Sequence, residues 1–435
     1  MTATARATAP PQAAYFRWLQ LAMGVVCMAM IANLQYGWTL FVDPIDAKFH
    51  WGRAAIQLAF TLFVVTETWL VPLEAWFVDK YGPRTVVMFG GIMITIAWVM
   101  NSSADSLVLL YIAAIIGGIG AGSVYGTCVG NALKWFPDRR GLAAGATAAG
   151  FGAGAAITVV PIANMIAASG YQAAFFAFGI GQGVIVFILA FFLRKPSQAM
   201  PAKRKQLNLP QTKIDFMPPQ VLRSPIFWVM YLVFVMVAAG GLMTAAQVAP
   251  IAKDFKIANE PVGLLGFQMA ALTLAISLDR IFDGFGRPFF GWVSDHIGRE
   301  HTMFIAFATA ALMLLTLSVY GHIPVVFVLA TAVYFGVFGE IYSLFPATSG
   351  DTFGVKYATT NNGMLYTAKG TASLLVPLAS LVASSYGWQA VFVIAVALNA
   401  TAALLALFVI KPMRRSFILG NEAIADASVH DAKIA

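Results

Sequence analysis

Long apolar stretches, separated by short polar segments, run along almost the whole chain. About 20 apolar residues suffice for an α-helix to cross a bilayer, and most of these stretches reach that length. Hydropathy predicts twelve membrane spans, near residues 17–42, 54–77, 84–102, 107–132, 141–168, 172–193, 225–249, 262–291, 302–320, 323–345, 362–384 and 388–410. The pattern therefore predicts an all-α membrane protein.

The composition excludes several classes of protein. Hydrophobic residues make up 60% of the 435 positions and charged residues 11%, whereas soluble domains are about 45–50% apolar and about 25% charged. A soluble enzyme, a disordered protein and a disulfide-built secreted domain are thus excluded. The two cysteines lie in apolar stretches, and the Ala/Thr/Pro-rich start shows no signal-peptide pattern.

The polar segments divide the spans into two sets of six. Residues 194–224 are rich in lysine, arginine and proline and contain no apolar stretch. We therefore expect an N-terminal tail (1–16), an N-terminal bundle (17–193), a linker (194–224), a C-terminal bundle (225–410) and a C-terminal tail (411–435).

The distribution of basic residues predicts the orientation of the chain. With both termini in the cytoplasm, four of the 27 Lys and Arg residues lie outside and three lie within spans, so the other 20 face the cytoplasm. An excess of Lys and Arg on cytoplasmic loops is the usual rule for multi-pass proteins. The sequence thus predicts a protein of the plasma (bacterial inner) membrane. Its net charge of +8 reflects this orientation in the lipid bilayer, and we expect no nucleic acid as a partner.

Two short motifs recur at nearly the same offset. Asp79-Lys80-Tyr81-Gly82 follows span 2, and Asp295-His296-Ile297-Gly298 follows span 8, 216 positions later. Gly170-Tyr171-Gln172-Ala173 opens span 6, and Gly387-Trp388-Gln389-Ala390 opens span 12, 217 positions later. This repeat predicts two pseudo-symmetric six-helix bundles, an architecture that transporters use with the binding site between the halves.

Charged residues inside span 8 are the first indication of function. A charge in the middle of a membrane helix costs a few kcal/mol, so it is retained for a reason. Arg280, Asp283 and Arg287 fall on one helical face, and Asp283 can pair with either arginine. Asp279 lies on a neighbouring face and can pair elsewhere. A self-neutralising structural network is the alternative interpretation.

Span 11 contains one more buried cation, Lys369. It lies eight residues from the cytoplasmic start of its span, as Arg287 lies eight residues from Asp295, or about 12 Å of helix rise in each case. Two cations at matched depth suit a carboxylate ligand, with the arginine as a bidentate fork and the lysine as a point charge. The alternative is a structural pair between Lys369 and Glu340 of span 10.

Polar and aromatic residues elsewhere could enclose a small planar anion. Span 1 carries Gln35 and Tyr36, span 2 carries Gln57 and, deeper, Glu67, span 4 carries Tyr125, and span 10 carries Phe338 and Tyr342. Ordinary helix packing is the alternative for any one aromatic. No phosphate loop, metal-ligand cluster or nucleophile motif is present. We therefore expect no cofactor, no metal and no catalytic residue.

The loops after spans 2 and 8 resemble the signature of the major facilitator superfamily. The segments are Phe77-Val78-Asp79-Lys80-Tyr81-Gly82-Pro83-Arg84 and Gly291-Trp292-Val293-Ser294-Asp295-His296-Ile297-Gly298-Arg299. The resemblance implies the twelve-helix major facilitator fold. It also implies that Asp79 and Asp295 cap helix ends, while Lys80, Arg84 and Arg299 brace the cytoplasmic gate.

Further segments resemble the bacterial oxalate:formate antiporter family. They include Gln35-Tyr36-Gly37-Trp38, Gly286-Arg287-Pro288-Phe289-Phe290-Gly291 and Ala368-Lys369-Gly370-Thr371-Ala372-Ser373. The resemblance implies that Arg287 and Lys369 bind the substrate carboxylates. It also implies that the site is lined by Gln35, Tyr36, Gln57, Tyr125, Phe151, Phe338, Tyr342 and Tyr366.

Some residues depart from that family. Asp279, Arg280 and Asp283 stand where the antiporter pattern has uncharged residues, and the Asp283–Arg287 spacing resembles the proton-coupled monocarboxylate transporters. If Arg280 offsets Asp283, the site keeps a charge near +2 and suits a dianion such as oxalate. If Arg280 pairs with Asp279 instead, the charge falls to +1 and suits a monocarboxylate. The coupling network thus comprises Asp279, Arg280, Asp283 and Glu340.

We expect an oxalate:formate antiporter that works by alternating access as a functional monomer. Unpaired positive charge in the empty site would hinder closure, which favours exchange over one-way transport. A proton-coupled lactate or formate symporter that uses Asp283 as its proton site is the main alternative. A receptor, a channel and a membrane enzyme fit the pattern less well.

Overall fold

The structure, a computed structural model, describes residues 14–196, 210–264 and 267–434. The helices of the first half are α1 (Ala14–Tyr36), α2 (Thr39–Phe49), α3 (Arg53–Trp69), α4 (Val71–Tyr81), α5 (Pro83–Ser102), α6 (Leu107–Trp135) and α7 (Arg140–Ala190). The elements of the second half are α8 (Pro218–Arg223), α9 (Pro225–Asp254), β1 (Pro261–Leu264), β2 (Phe267–Ala270), α10 (Ala271–Ile297), α11 (Arg299–Tyr320), α12 (Pro324–Phe338), α13 (Ile341–Phe353), α14 (Ala358–Ser373), α15 (Val376–Leu405), a π-helical turn (Ala406–Ile410) and α16 (Lys411–Ile434).

Two of the long helices each contain a sharp break at a glycine. Gly170 interrupts the 51-residue α7 at φ 82°, and Gly387 interrupts α15 at φ 78°. Only glycine adopts such angles without steric cost. Each break falls where the sequence predicts the end of one span and the start of the next, so α7 contains spans 5 and 6.

The repeated signature motifs also share one backbone conformation. Gly82 lies between α4 and α5 at φ 90°, and Gly298 lies between α10 and α11 at φ 102°. Together with Gly170 and Gly387, they form two pairs of equivalent turns at the predicted repeat offsets. The turns agree with a duplicated, pseudo-symmetric fold.

The number of crossings agrees with the hydropathy pattern. Among the described residues, eight helices are long and apolar enough to cross a membrane, and the bent pair α3–α4 makes a ninth. The division of α7 at Gly170 adds one crossing. The charged α10, and α14 continued by the start of α15, occupy predicted spans 8 and 11, which is consistent with twelve.

The start of predicted span 8 is a correction. The sequence predicts helix from residue 262, but β1 and β2 form an antiparallel hairpin there, with Pro261 opposite Ala270 and Val262 opposite Met269. Helix α10 begins only at Ala271. Hydropathy detects that these residues are apolar but does not separate a short strand from a helix.

The two halves meet along helix pairs whose backbones lie close together. Helix α7 packs on α10, and α14 packs on α3, α4 and α6. A Cβ atom added at Gly145 would lie 2.3 Å from the backbone oxygen of Arg287, and one added at Gly141 would lie 2.2 Å from that of Gly291. These glycines therefore permit the close approach of α7 and α10, as small residues do in membrane helices.

Candidate functional site

Arg287 lies at the interface of the halves and is bound on two sides. Its Nη2 donates to Asp283 Oδ2 at 2.7 Å, one turn earlier on α10. Its Nη1 donates to the backbone oxygen of Ala148 on α7 at 2.9 Å. The guanidinium carbon also lies 4.9 Å from the centre of the Tyr342 ring. With 2% of its surface exposed, Arg287 is a buried cation that contacts both halves.

Lys369 on α14 reaches across to the first half. Its Nζ lies 3.2 Å from Glu67 Oε2 and 3.3 Å from Oε1 on α3. It also donates to Gln35 Oε1 on α1 at 3.2 Å and to Tyr366 Oη at 2.9 Å. Glu67 is fully buried, so this ion pair between the halves lies in the dry interior.

Aromatic rings from both halves surround the two cations. Tyr36 packs on Phe151 with ring centres 5.2 Å apart, and Phe151 packs on Tyr125 at 5.8 Å. Tyr125 stacks on Tyr366 at 4.5 Å, and Tyr366 contacts Tyr342 at 6.3 Å. The chain of rings runs from one half to the other beside the two cations, and we call it the aromatic enclosure.

Of two further predicted lining residues, Phe338 joins the aromatic enclosure, and the side chain of Gln57 is not described. Phe338 extends the aromatic enclosure through Tyr342, with ring centres 6.1 Å apart. Gln57 lies on α3 near the opposite end of that helix from Glu67, and its side chain is outside the described part of the chain.

Arg280 and Asp279 do not form the ion pair that would lower the charge of the site. The guanidinium of Arg280 lies 4.9 Å from the centre of the Tyr36 ring on α1. Asp279 is buried against Thr331 on α12, and its Oδ1 has no hydrogen-bond partner among the described residues. Of the pairings left open by the sequence, the structure contains Asp283 with Arg287.

Glu340 is not the partner of Lys369, so that alternative is wrong. Glu340 is fully buried beside Gly339, and neither of its carboxylate oxygens has a hydrogen-bond partner in the described ranges. Lys369 pairs with Glu67 instead. Glu67 lies deep in predicted span 2, but nothing within one helix predicts its contact with a residue 302 positions away.

The expectation that the empty site holds unpaired positive charge is also wrong for its two central cations. Arg287 has Asp283 as counter-ion, and Lys369 has Glu67. Buried ion pairs of this kind exist because an isolated charge costs far more in a low-dielectric interior. The protein thus supplies a carboxylate partner for each of the two cations.

Helix ends are capped across the halves at the end of the bundle that carries the repeated motifs, here called the signature end. Asp79 accepts hydrogen bonds from Thr360 N at 3.1 Å and Thr360 Oγ1 at 2.6 Å, at the start of α14. Asp295 accepts from Gly141 N and Leu142 N, both at 3.0 Å, at the start of α7. A carboxylate at a helix N-terminus is favoured by the free N–H groups and the helix dipole.

Asp351, which sequence analysis missed, links the halves at the same end. Its Oδ1 lies 2.6 Å from Arg140 Nη1 on α7, and its Oδ2 lies 2.8 Å from Arg299 Nε on α11. Arg299 also donates to Asp295 Oδ1 at 2.6 Å. Asp351 and Arg299 are completely buried, so the signature end is closed by a dry network of charges.

Lys80 and Arg84, for which bracing of the gate stays a prediction, lie against aromatic rings. Lys80 Nζ lies 4.9 Å from the ring centre of Trp76, and the guanidinium of Arg84 lies 4.7 Å from that of Phe191. Both rings belong to the first half. The basic residue of that half that pairs with Asp79 is Lys134, at 2.5 Å.

The sequence pattern that defines the Major Facilitator Superfamily matches residues 21–377 and again residues 243–430. The chain belongs to this superfamily. The oxalate:formate antiporter of Oxalobacter formigenes is 37% identical over 403 residues, which cover 92% of this chain and 93% of that protein.

Solved structures of the superfamily share the fold. The transporter FucP in the outward conformation superposes with a TM-score of 0.68 at 13% identity, over 90% of this chain and 99% of that one. A human organic anion transporter gives 0.65 at 14% identity, over 92% of this chain and 100% of that one. The protein is thus a multi-pass membrane transporter and not an enzyme, as the sequence predicts.

Proposed function

We propose that this transporter exchanges small carboxylates, and most specifically oxalate for formate. The observation that carries the proposal is the pair of buried cations, Arg287 and Lys369, which approach the same Tyr342 ring to 4.9 and 6.0 Å. The antiporter from Oxalobacter formigenes supports this substrate class, since its similarity spans nearly the whole of both chains.

Each cation has a distinct task in this proposal. Arg287 presents a planar fork that binds one carboxylate through two parallel hydrogen bonds, and Lys369 binds the second as a point charge. Tyr366, which holds Lys369 at 2.9 Å, fixes the position of the ammonium group. The aromatic enclosure excludes water, which strengthens each electrostatic contact with a small planar anion.

Transport proceeds by alternating access, with the two halves rocking about the central site. The buried network of Asp351, Arg140 and Arg299 closes the signature end, while substrate enters from the opposite end. The distribution of basic residues supports a cytoplasmic signature end and cytoplasmic termini, in the inner membrane. One chain contains both halves and both cations, so a monomer suffices.

One observation favours a second candidate function. Asp283 pairs with Arg287 one turn away at 2.7 Å, and a carboxylate that competes with the substrate for an arginine is suited to carry a proton. In a proton-coupled monocarboxylate symporter, protonation of Asp283 would free Arg287 for lactate or formate. The Asp283→Asn variant would then lose uptake driven by a pH gradient.

Uptake of labelled oxalate, lactate or formate into proteoliposomes distinguishes the two functions. The vesicles are preloaded with oxalate, formate or buffer, with and without an inward proton gradient. Antiport predicts uptake that is much faster into anion-loaded vesicles than into buffer-loaded ones, whatever the gradient. Uptake of lactate or formate that requires the gradient, without oxalate uptake, would contradict antiport and support the symporter.

A further inference from the structure

Glu67 is a buried acid that the proposed binding residues leave unexplained. It lies on α3 in the first half and holds Lys369 of the second half at 3.2 and 3.3 Å. Tyr366 Oη donates to the same carboxylate at 3.4 Å. The acid is fully buried, so its carboxylate is the counter-ion that Lys369 has in the interior.

We propose that Glu67 is an internal substitute for the substrate carboxylate at Lys369. This inference rests on the proposed function, in which Lys369 binds one end of the transported anion. In the empty transporter, Glu67 neutralises Lys369 across the interface of the halves. An entering anion displaces Glu67 from the ammonium group and takes its place.

The position of the pair determines what it does in the transport cycle. A bare lysine in the dry interface opposes closure of an empty carrier, because an unpaired buried charge is costly. The Glu67 carboxylate removes that cost without any substrate. Glu67 therefore permits the empty carrier to change sides, and it weakens substrate binding because the substrate must first displace it.

The neighbouring Glu74 provides a matched control. It lies seven residues further along, on α4, is buried to a similar degree, and is not among the described partners of Lys369. Both residues lie beside Gly122 on α6, since a Cβ added there would lie 2.6 Å from the backbone oxygen of Glu67 and 2.8 Å from Glu74 Oε2. Glu74→Gln therefore changes a buried carboxyl group on the same helix pair without removing a described partner of Lys369.

The test compares exchange with net efflux in proteoliposomes loaded with labelled oxalate and clamped at zero potential. The unmodified protein, Glu67→Gln and Glu74→Gln are each diluted into oxalate medium and into anion-free medium. We expect Glu67→Gln to retain exchange and to lower the ratio of net efflux to exchange at least tenfold. Glu74→Gln is expected to keep the ratio of the unmodified protein.

A milder variant covers the case in which Glu67→Gln assembles poorly, and a binding measurement adds a second readout. Glu67→Asp keeps the charge but shortens the side chain by one methylene, so its ratio is expected between those of the unmodified protein and Glu67→Gln. Oxalate should bind purified Glu67→Gln at least tenfold more tightly than the unmodified protein, equivalent to about 1.4 kcal/mol.

The outcomes that overturn the inference differ from those that overturn the proposed function. An unchanged or increased ratio in Glu67→Gln, with exchange intact in the unmodified protein, contradicts the inference alone. Equal effects of Glu67→Gln and Glu74→Gln also contradict it. Absence of oxalate exchange by the unmodified protein overturns the proposed function and this inference with it.

Discussion

Asp351 is the residue whose neutralisation should most directly shift the transporter between its two access states. The substitution Asp351→Asn keeps the shape of the side chain and removes its charge. Arg140 of the first half would then remain buried without its partner at 2.6 Å, while Arg299 would keep Asp295 at 2.6 Å. The loss thus falls mainly on the contact that joins the halves.

The size of the effect follows from the burial of this pair. Asp351 is fully buried and Arg140 is 5% exposed, and removal of one partner from a buried ion pair costs about 3–5 kcal/mol. Water solvates Arg140 when the signature end opens, so the cost applies only to the closed state. At about 1.4 kcal/mol per tenfold change, the ratio of open to closed molecules should rise by about 100- to 4,000-fold.

A spin-label distance measurement detects this shift. Tyr81 and Ile297 are equivalent positions in the two signature motifs, one on each half, and both are exposed. Cysteines at these two positions, with Cys27 and Cys128 replaced by serine, carry the labels. We expect Asp351→Asn to convert most molecules to a longer distance between the labels.

The control for this experiment breaks an ion pair at the same end without separating the halves. Asp138→Asn removes the 3.0 Å contact with Arg17, and both residues belong to the first half. It should leave the distance distribution unchanged. If Asp351→Asn also leaves it unchanged, the network does not hold the signature end closed, and the reasoning is refuted.

Three further predictions concern the packing of α7 on α10 and the two cations. Gly145→Val should open the signature end in the same label assay, because even a Cβ there would lie 2.3 Å from the Arg287 backbone oxygen; an unchanged distance would contradict the close-approach argument. Arg287→Lys keeps the charge but loses the fork, so calorimetry should show oxalate binding weakened at least tenfold, and equal affinity would argue against bidentate binding. Tyr366→Phe removes a 2.9 Å hydrogen bond to Lys369, and about 1 kcal/mol of lost positioning should weaken oxalate binding about fivefold by the same method; no change would show that Tyr366 does not position the lysine.

Periodicity and charge predict those parts of the molecule that depend on one helix at a time. The spacing on α10 allows Asp283 to pair with Arg280 or with Arg287, and the structure contains the pair with Arg287. The breaks at Gly170 and Gly387 follow from a repeated motif that opens two spans.

Contacts between distant helices could not be predicted in this way. Glu67 and Lys369 meet only when α3 and α14 pack together, and the spacing of residues along the chain does not predict that contact. Asp351 lies near the end of a polar segment that resembles an ordinary helix terminus, so its link to Arg140, 211 positions away, was not expected.

Hydropathy also failed at the start of span 8, because an apolar strand and an apolar helix have the same hydropathy. Strands β1 and β2 are apolar enough to extend predicted span 8, and only their pairing with each other separates them from a helix. Lys80 and Arg84 are expected at the gate because the motif contains them, which stays a prediction, and they lie on aromatic rings of their own half.

Oxalate counterflow with neutralised cations tests the central claim most directly. Proteoliposomes loaded with unlabelled oxalate are diluted into labelled oxalate, using the unmodified protein, Arg287→Gln, Lys369→Gln and, as a control, Lys253→Gln, whose side chain is exposed outside the site. The account predicts that labelled oxalate accumulates with the unmodified protein and Lys253→Gln, and that Arg287→Gln and Lys369→Gln abolish accumulation. Accumulation at the unmodified rate with either neutralised site cation would contradict the assignment of Arg287 and Lys369 as the carboxylate-binding pair.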